Sequence, residues 1–300
     1  MKAVVFGGSG FLGSHVADAL SDHGYETYIF DLNKSQWLND DQIMLQGDIL
    51  DESSVASAVK DADVVYHLAG MADIGEAAGK PYDTMQINIM GSMNLIDACI
   101  AANVKRFMYA STVYVYSNKG SFYRISKQAV ESILEAYNEN HGIEYTILRY
   151  GSLYGPRAQE WNGLKNFVVQ GIRDGKIIYP GTGEERREYI HVKDAAKLSV
   201  NVLSSEYANT CLTLTGSQVM TTREAMQIIR EIASRDMELE FIAEGSIYQQ
   251  AHYSITPYRY TPKQGKKVVP ATFIDIGEGI LELIEEVYQE ANNVNDSEVI

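Results

Sequence analysis

Apolar residues arrive along the first half of the chain in two alternating rhythms. Short β-rich runs at 2–6, 26–30, 42–46, 63–68, 106–110 and 145–149 are separated by longer segments of helical period at 11–22, 52–60, 83–102 and 121–140. That alternation predicts an α/β fold with a doubly wound parallel sheet covered by helices on both faces. After Gly155 and Pro156 the rhythm breaks, and Gly, Pro and Tyr thicken around 171–183 and 253–270. Residues 1–156 are therefore expected to form the sheet domain. Residues 157–300 are expected to form mainly a smaller C-terminal α/β lobe that binds substrate, with a strand near 211–215 returning to the sheet.

Composition narrows the classes of partner. The chain has 300 residues and a formal net charge of −15. That balance argues against nucleic acid or an anionic membrane surface, both of which require a basic face. No apolar run approaches the ~20 residues of a membrane span. Met1 and Lys2 lead directly into Ala3, Val4, Val5 and Phe6 without a signal-peptide layout, so a cytoplasmic protein is expected. Cys99 and Cys211 each lie in an apolar element and read as buried, inert thiols; no disulfide and no metal site is expected.

The first predicted strand runs into Gly7, Gly10 and Gly13, with Phe11 and Leu12 between the last two, and then into a helix. Glycines so spaced allow a tight turn and a close backbone approach to pyrophosphate, which the helix N-terminus attracts. Asp31 ends the second strand, where a carboxylate accepts both ribose hydroxyls of an adenosine and repels a 2′-phosphate. The set predicts a Rossmann-type domain that binds NAD in preference to NADP. Asp48 closes the third strand in reach of the adenine amino group, and Ile49 is placed to cover the ring.

Tyr123 and Lys127 stand four apart on one face of a predicted helix. An ammonium so placed is expected to lower the phenol's pKa, making a base for a substrate hydroxyl whose carbon loses hydride. The strand before it delivers the hydroxyls of Ser111 and Thr112 to the carboxyl edge of the sheet, where ligands of open α/β sheets bind.

Together these residues resemble the extended short-chain dehydrogenases/reductases, and within them most closely the UDP-galactose 4-epimerase group. The resemblance runs over nearly the whole chain. It takes in the Gly7 loop, Asp31, Asp48 and Ile49, the stretch from His67 to Gly70, Asn88 before Gly91, Thr112, Tyr123 with Lys127, the stretch from Leu148 to Pro156, and the stretch from Arg187 to Asp194. It implies Thr112, Tyr123 and Lys127 as catalytic residues, with Tyr123 the base and Lys127 on the nicotinamide ribose. It adds Leu68, Ala69, Gly70, Asn88 and Tyr150 to the cofactor residues. It implies a substrate site of Ser111, Thr112, Ser152, Asn162, Tyr179, Arg187 and Arg259, the arginines holding phosphate. The implied substrate is a nucleotide sugar, UDP-linked before GDP-linked.

Some positions depart from the family. Dehydratase relatives follow the catalytic Thr with an Asp and a Glu, and decarboxylating relatives carry a nearby Glu; Val113 and Tyr114 stand there instead. The expected reaction is therefore epimerisation at C4 through a transient 4-keto sugar. Two alternatives stay open: a 4-dehydrogenase that releases the keto sugar, and a non-catalytic NAD(H) sensor. His67 and His191 read as packed histidines, and Arg149 as a structural anchor at the sheet edge. Tyr114, Tyr116 and Tyr154 fit either a sugar pocket or the core. The predicted helices 83–102 and 121–140 carry apolar residues beyond one core stripe, among them Ile87, Met90, Leu95, Ala98, Ala129 and Ala136. A homodimer through these helices is expected.

Overall fold

Burial along each strand follows its place in the sheet. In the computed structural model, which describes residues 1–233, 236–242 and 265–297, eight strands form one parallel sheet. They are β1 (Lys2–Phe6), β2 (Glu26–Asp31), β3 (Gln42–Gln46), β4 (Val64–His67), β5 (Arg106–Thr112), β6 (Tyr145–Tyr150), β10 (Thr210–Leu214) and β13 (Gly265–Val268). Their spatial order is β13-β10-β6-β5-β4-β1-β2-β3. Every residue of β4 and β6 is buried, as befits central strands covered on both faces, whereas the edge strand β3 is mostly exposed or half-buried.

Two layers of helix cover the sheet. On one face α2 (Glu52–Val59), α5 (Gly91–Ala101) and α6 (Ser121–His141) bring Val55, Leu95 and Val130 against Phe6, Val65, Phe107 and Ile147. On the other, α1 (Phe11–Asp22) and α8 (Val192–Asn201) pack Val16, Leu20 and Ala196 onto Val5, Tyr66 and Leu148. Cys99 and Cys211 are both buried in the first of these cores. Burial pushes the Cys99 thiol well above its ordinary pKa, so it stays uncharged.

The predicted helix at 83–102 is not one regular helix. Two short helices, α3 (Ile74–Gly79) and α4 (Pro81–Met85), lead into a π-helical turn at Gln86–Met90, and α5 follows without a break in the chain direction. The wider turn carries Asn88, and π turns are found mostly where a helix serves a site.

The remaining elements build a third core. They are β7 (Ser152–Tyr154), α7 (Gly163–Asp174), β8 (Lys176–Tyr179), β9 (Arg186–His191), β11 (Val219–Thr221), α9 (Thr222–Ile232), β12 (Glu238–Phe241) and α10 (Ile276–Ser297). Two small sheets, β11-β9-β7 and β12-β8, support Phe167, Ile177, Met226, Ile229, Ile280 and Leu283. The two halves of the chain interleave, since β10 pairs with β6 and α8 packs on α1. Among the described residues no helix is long and apolar enough to cross a membrane.

Candidate active site

The chain leaves β1 for β2 and β3 on one side, then returns to β4 on the other, so a crevice opens at the carboxyl ends of β1 and β4. Open α/β sheets bind ligands at such a reversal. Gly7 turns there with φ +81°, and a Cβ on it would lie 2.5 Å from the Ala69 amide nitrogen at the end of β4. A Cβ on Gly13 would run into the Gly7 carbonyl oxygen. Both glycines are thus required for the loop to lie this close to α1 and β4. Gly10 is the N-cap of α1 and supplies no side-chain acceptor, leaving the first-turn amides at Phe11, Leu12 and Gly13 directed at an incoming anion.

Asp31 stands at the tip of β2 beside this loop. Its Oδ2 accepts from the Ser9 amide at 3.1 Å and its Oδ1 from the Asn33 amide at 3.0 Å. Two backbone donors fix the carboxylate while leaving lone pairs for two hydroxyls. Exposed Asp48 accepts from the Leu50 amide at 2.9 Å. Ile49 is buried, and its side chain fills the space above Gly91. Leu68 and Ala69 are half-buried and Gly70 is exposed beside the glycine loop. This cradle fits a dinucleotide: a backbone-lined slot without side chains, a helix N-terminus, and a pinned carboxylate.

The second half of the site hangs on β5 and α6. The Tyr123 hydroxyl is hydrogen-bonded to the Thr112 side chain. Thr112 also caps the turn that follows β5, accepting from the Tyr114 amide at 3.2 Å. Lys127 is buried, and its Nζ donates to the Ala110 carbonyl at 2.8 Å. The same ammonium lies 4.9 Å from the Tyr109 ring centroid and 5.9 Å from that of Tyr123.

Burial raises the Tyr123 phenol to a pKa of about 12, with the Thr112 hydrogen bond pulling weakly the other way. The Lys127 ammonium donates to the Ala110 carbonyl, and the Tyr123 hydroxyl pairs with Thr112. Burial in turn lowers the Lys127 ammonium to about 8, opposed by the Glu131 carboxylate.

Several other expected residues have different tasks. Ser111 is buried and donates its hydroxyl to Glu131 at 2.5 Å, so Thr112 alone of the pair joins Tyr123. Asn88 engages every polar atom of its amide within the protein. Its Oδ1 accepts from the Met71 amide at 2.7 Å, and its Nδ2 donates to the Met71 carbonyl and to Ser126 Oγ, each at 3.0 Å. It clamps the loop after Gly70 to the residue before Lys127 and leaves no donor for a cofactor. Tyr150 is buried in the α1/α8 core with its hydroxyl 2.7 Å from Ser199 Oγ.

Asn162 is the N-cap of α7, accepting from the Lys165 amide at 3.3 Å and donating to the Leu153 carbonyl at 2.8 Å. Tyr179 is buried in the third core against Phe167 and Phe241. Half-buried Ser152 opens β7 beside β9, which carries the almost fully buried Arg187. Arg259, with the run around it, lies outside the described residues.

His67 packs between Phe107 and Tyr109 with Nε2 2.7 Å from Ser92 Oγ, and His191 Nε2 lies 3.2 Å from Glu282. Tyr154 belongs to the third core, and the Tyr116 hydroxyl is joined to Thr213 and Arg149. Sequence reasoning missed Ser126 and Glu131. Glu131 sits one helical turn beyond Lys127, a spacing visible in the sequence.

Comparison with known proteins agrees with this geometry. The model of the NAD dependent epimerase/dehydratase family matches residues 3–210. A putative UDP-glucose 4-epimerase of Methanocaldococcus jannaschii is 27% identical over 270 residues, covering 82% of this chain and 88% of that protein. A UDP-N-acetyl-alpha-D-glucosaminuronate decarboxylase of Bacillus cytotoxicus is 24% identical over 275 residues, covering 82% and 85% respectively. The crystal structure of UDP-glucose 4-epimerase from Thermotoga maritima with UDP-glucose shares the fold, with a TM-score of 0.84 at 24% identity over 97% of this chain and 100% of that one. The chain therefore belongs to the NAD dependent epimerase/dehydratase family and is an NAD-dependent enzyme.

Proposed function

We propose that this protein inverts C4 of a UDP-sugar through a transient 4-keto sugar. The observation that carries the reading is the Tyr123 hydroxyl joined to Thr112 at the carboxyl end of β5, with no carboxyl group following it. Val113 is buried and Tyr114 is half-buried where a dehydration or decarboxylation needs further acid/base groups.

Bound NAD would lie between the Gly7 loop, Asp31 and Lys127, supplying a reversible hydride acceptor and, on its nicotinamide ring, positive charge that draws the phenol's pKa down. Tyr123 takes the O4 proton as the ketone forms and returns it when the ketone is reduced from the other face. Thr112 holds the O4 hydroxyl against Tyr123, and Arg187 pairs with the diphosphate. The ring that turns between the two faces must stay in the pocket, so the keto sugar is retained and NADH does not accumulate.

UDP is favoured as the carrier because the relatives named above act on UDP-sugars. The exposed Tyr82 of α4, Met90 at the end of the π turn and Ile125 of α6 support a homodimer through these helices.

The test incubates purified protein with UDP-glucose, UDP-N-acetylglucosamine and UDP-glucuronate and reads products by chromatography. Interconversion of one C4 pair is expected. Net NADH with a released ketone supports the dehydrogenase reading, and no turnover with any UDP- or GDP-sugar contradicts the proposal.

A further inference from the structure

The catalytic helix is tied to the sheet by a buried ionic cluster that the proposed chemistry does not use. Glu131 on α6 and Arg149 on β6 form a two-pronged pair, with Nε to Oε1 at 2.9 Å and Nη2 to Oε2 at 2.6 Å. Both are buried, Arg149 being 0% exposed and Glu131 5%. Ser111 on β5 donates to the same Oε1 at 2.5 Å. Arg149 Nη1 continues to the Tyr116 hydroxyl at 2.9 Å, which lies 3.0 Å from Thr213 Oγ1 on β10. One carboxylate thus joins the helix bearing Tyr123 and Lys127 to three adjacent strands.

Burial of a charged pair is a poor source of stability in itself, since desolvation offsets most of the attraction, and an apolar pair of similar volume often serves as well. The retained charges point to another task. Glu131 lies one turn from Lys127 on the same face of α6, and Ser111, its partner, follows Ala110, whose carbonyl receives the Lys127 ammonium. The groups facing Lys127 are Tyr123 and Glu131 from α6, Tyr109 and the Ala110 carbonyl from β5, and His67 from β4. Tyr123, Tyr109 and His67 are uncharged near neutral pH, because burial raises the two phenols and lowers the imidazole. Glu131 supplies the negative charge among these groups.

We infer that Glu131 is a positioning residue for Lys127: held by Ser111 and Arg149, its carboxylate keeps the ammonium charged and aimed along the Ala110 edge of β5. The inference rests on the reading above only for the use made of Lys127, and its main test needs no turnover. The tendency of burial to discharge Lys127, and the opposing effect of Glu131, run in the direction it requires.

The test follows Lys127 in the full-length, cofactor-free protein by NMR of 13Cε-lysine, with the resonance identified by its loss in Lys127→Met. Glu131→Gln removes the anion but strands the Arg149 guanidinium, so the double variant Glu131→Gln/Arg149→Met, which removes both charges, accompanies it. In both, the Lys127 titration is expected to move to lower pH by about one unit or more. The alkaline limb of kcat moves the same way while KM for the sugar nucleotide changes by less than about twofold, and Glu131→Asp restores part of the shift. A folded double variant whose Lys127 titrates as in the wild type overturns the inference and leaves Glu131 a structural anchor. The expected downward shifts in the Glu131 variants of a protein that shows no epimerase turnover would instead sink the functional reading and leave this one standing.

Discussion

Lys127 Nζ donates to the Ala110 carbonyl at 2.8 Å, which moors the cation of α6 to the same strand that ends in Thr112. Tyr123 is joined to that strand by its own hydrogen bond to Thr112. Base and cation are therefore set relative to one rigid element rather than to each other. The Ser126 hydroxyl between them extends the arrangement to Asn88 and the loop after β4. A mutation in the loop after Gly70 should accordingly disturb the proton chemistry without touching a reacting group.

Buried histidines make the fold sensitive to acid. His67 is lowered to about 3, and His15 and His191 to about 4, in each case chiefly by burial. A folded pKa below the unfolded value of about 6.5 means that the unfolded chain binds more protons between those limits. Stability is then complete above about pH 6.5 and is lost as pH falls toward the folded values. For His67 alone the loss at pH 5 is about 2 kcal/mol. Thermal melts at pH 8, 6.5 and 5 should show little change over the first step and a clear fall in Tm over the second. A Tm that rises on acidification contradicts the assignment of neutral histidines.

Asp31 is held by two amide groups and cannot swing away from a 2′-phosphate. Asp31→Ala paired with Asn33→Arg should weaken NAD about tenfold or more, the worth of hydrogen bonds to a charged acceptor, and bring NADP to comparable affinity. Fluorescence titration of both cofactors checks this. Equal binding of NAD and NADP by the wild type would refute the role given to Asp31.

The exposed apolar residues on the helices around α5 and α6 give the assembly prediction. Met90 is 51% exposed and Tyr82 89%, whereas Leu95, expected on the outer face, is wholly buried. Light scattering at micromolar concentration should return about twice the 33.4 kDa of one chain. Met90→Glu should return one chain's mass with an unchanged circular dichroism spectrum. A wild type that runs as a monomer contradicts the proposed dimer.

What could be read from the sequence was local. Gly7, Gly10, Gly13 and Asp31 depend on a strand, a turn and a helix that are contiguous, and Tyr123 with Lys127 on one helix face. Tyr150, Asn88 and Ser111 were assigned by motif, yet the structure turns their polar atoms to Ser199, Met71 and Glu131, partners 49, 17 and 20 positions away. Nothing in the local pattern of polar residues shows which distant group will receive them. Asn162, expected at the substrate, is the N-cap of α7 in the structure, a place that an Asn just before a helical run often takes. The π turn at Gln86–Met90 left no mark on the apolar spacing, so a single helix was expected there.

The central claim is that O4 loses a proton to Tyr123 while C4 is oxidised and then reduced within one closed pocket. The most direct measurement gives the enzyme its UDP-sugar with deuterium at C4, in ordinary water, and reads the C4 epimer by mass spectrometry and NMR. The account predicts that the product keeps its deuterium at C4, that no reduced cofactor accumulates, and that Tyr123→Phe slows turnover about 10²-fold or more while still binding NAD. Product carrying hydrogen from solvent at C4, or full activity in Tyr123→Phe, would contradict it.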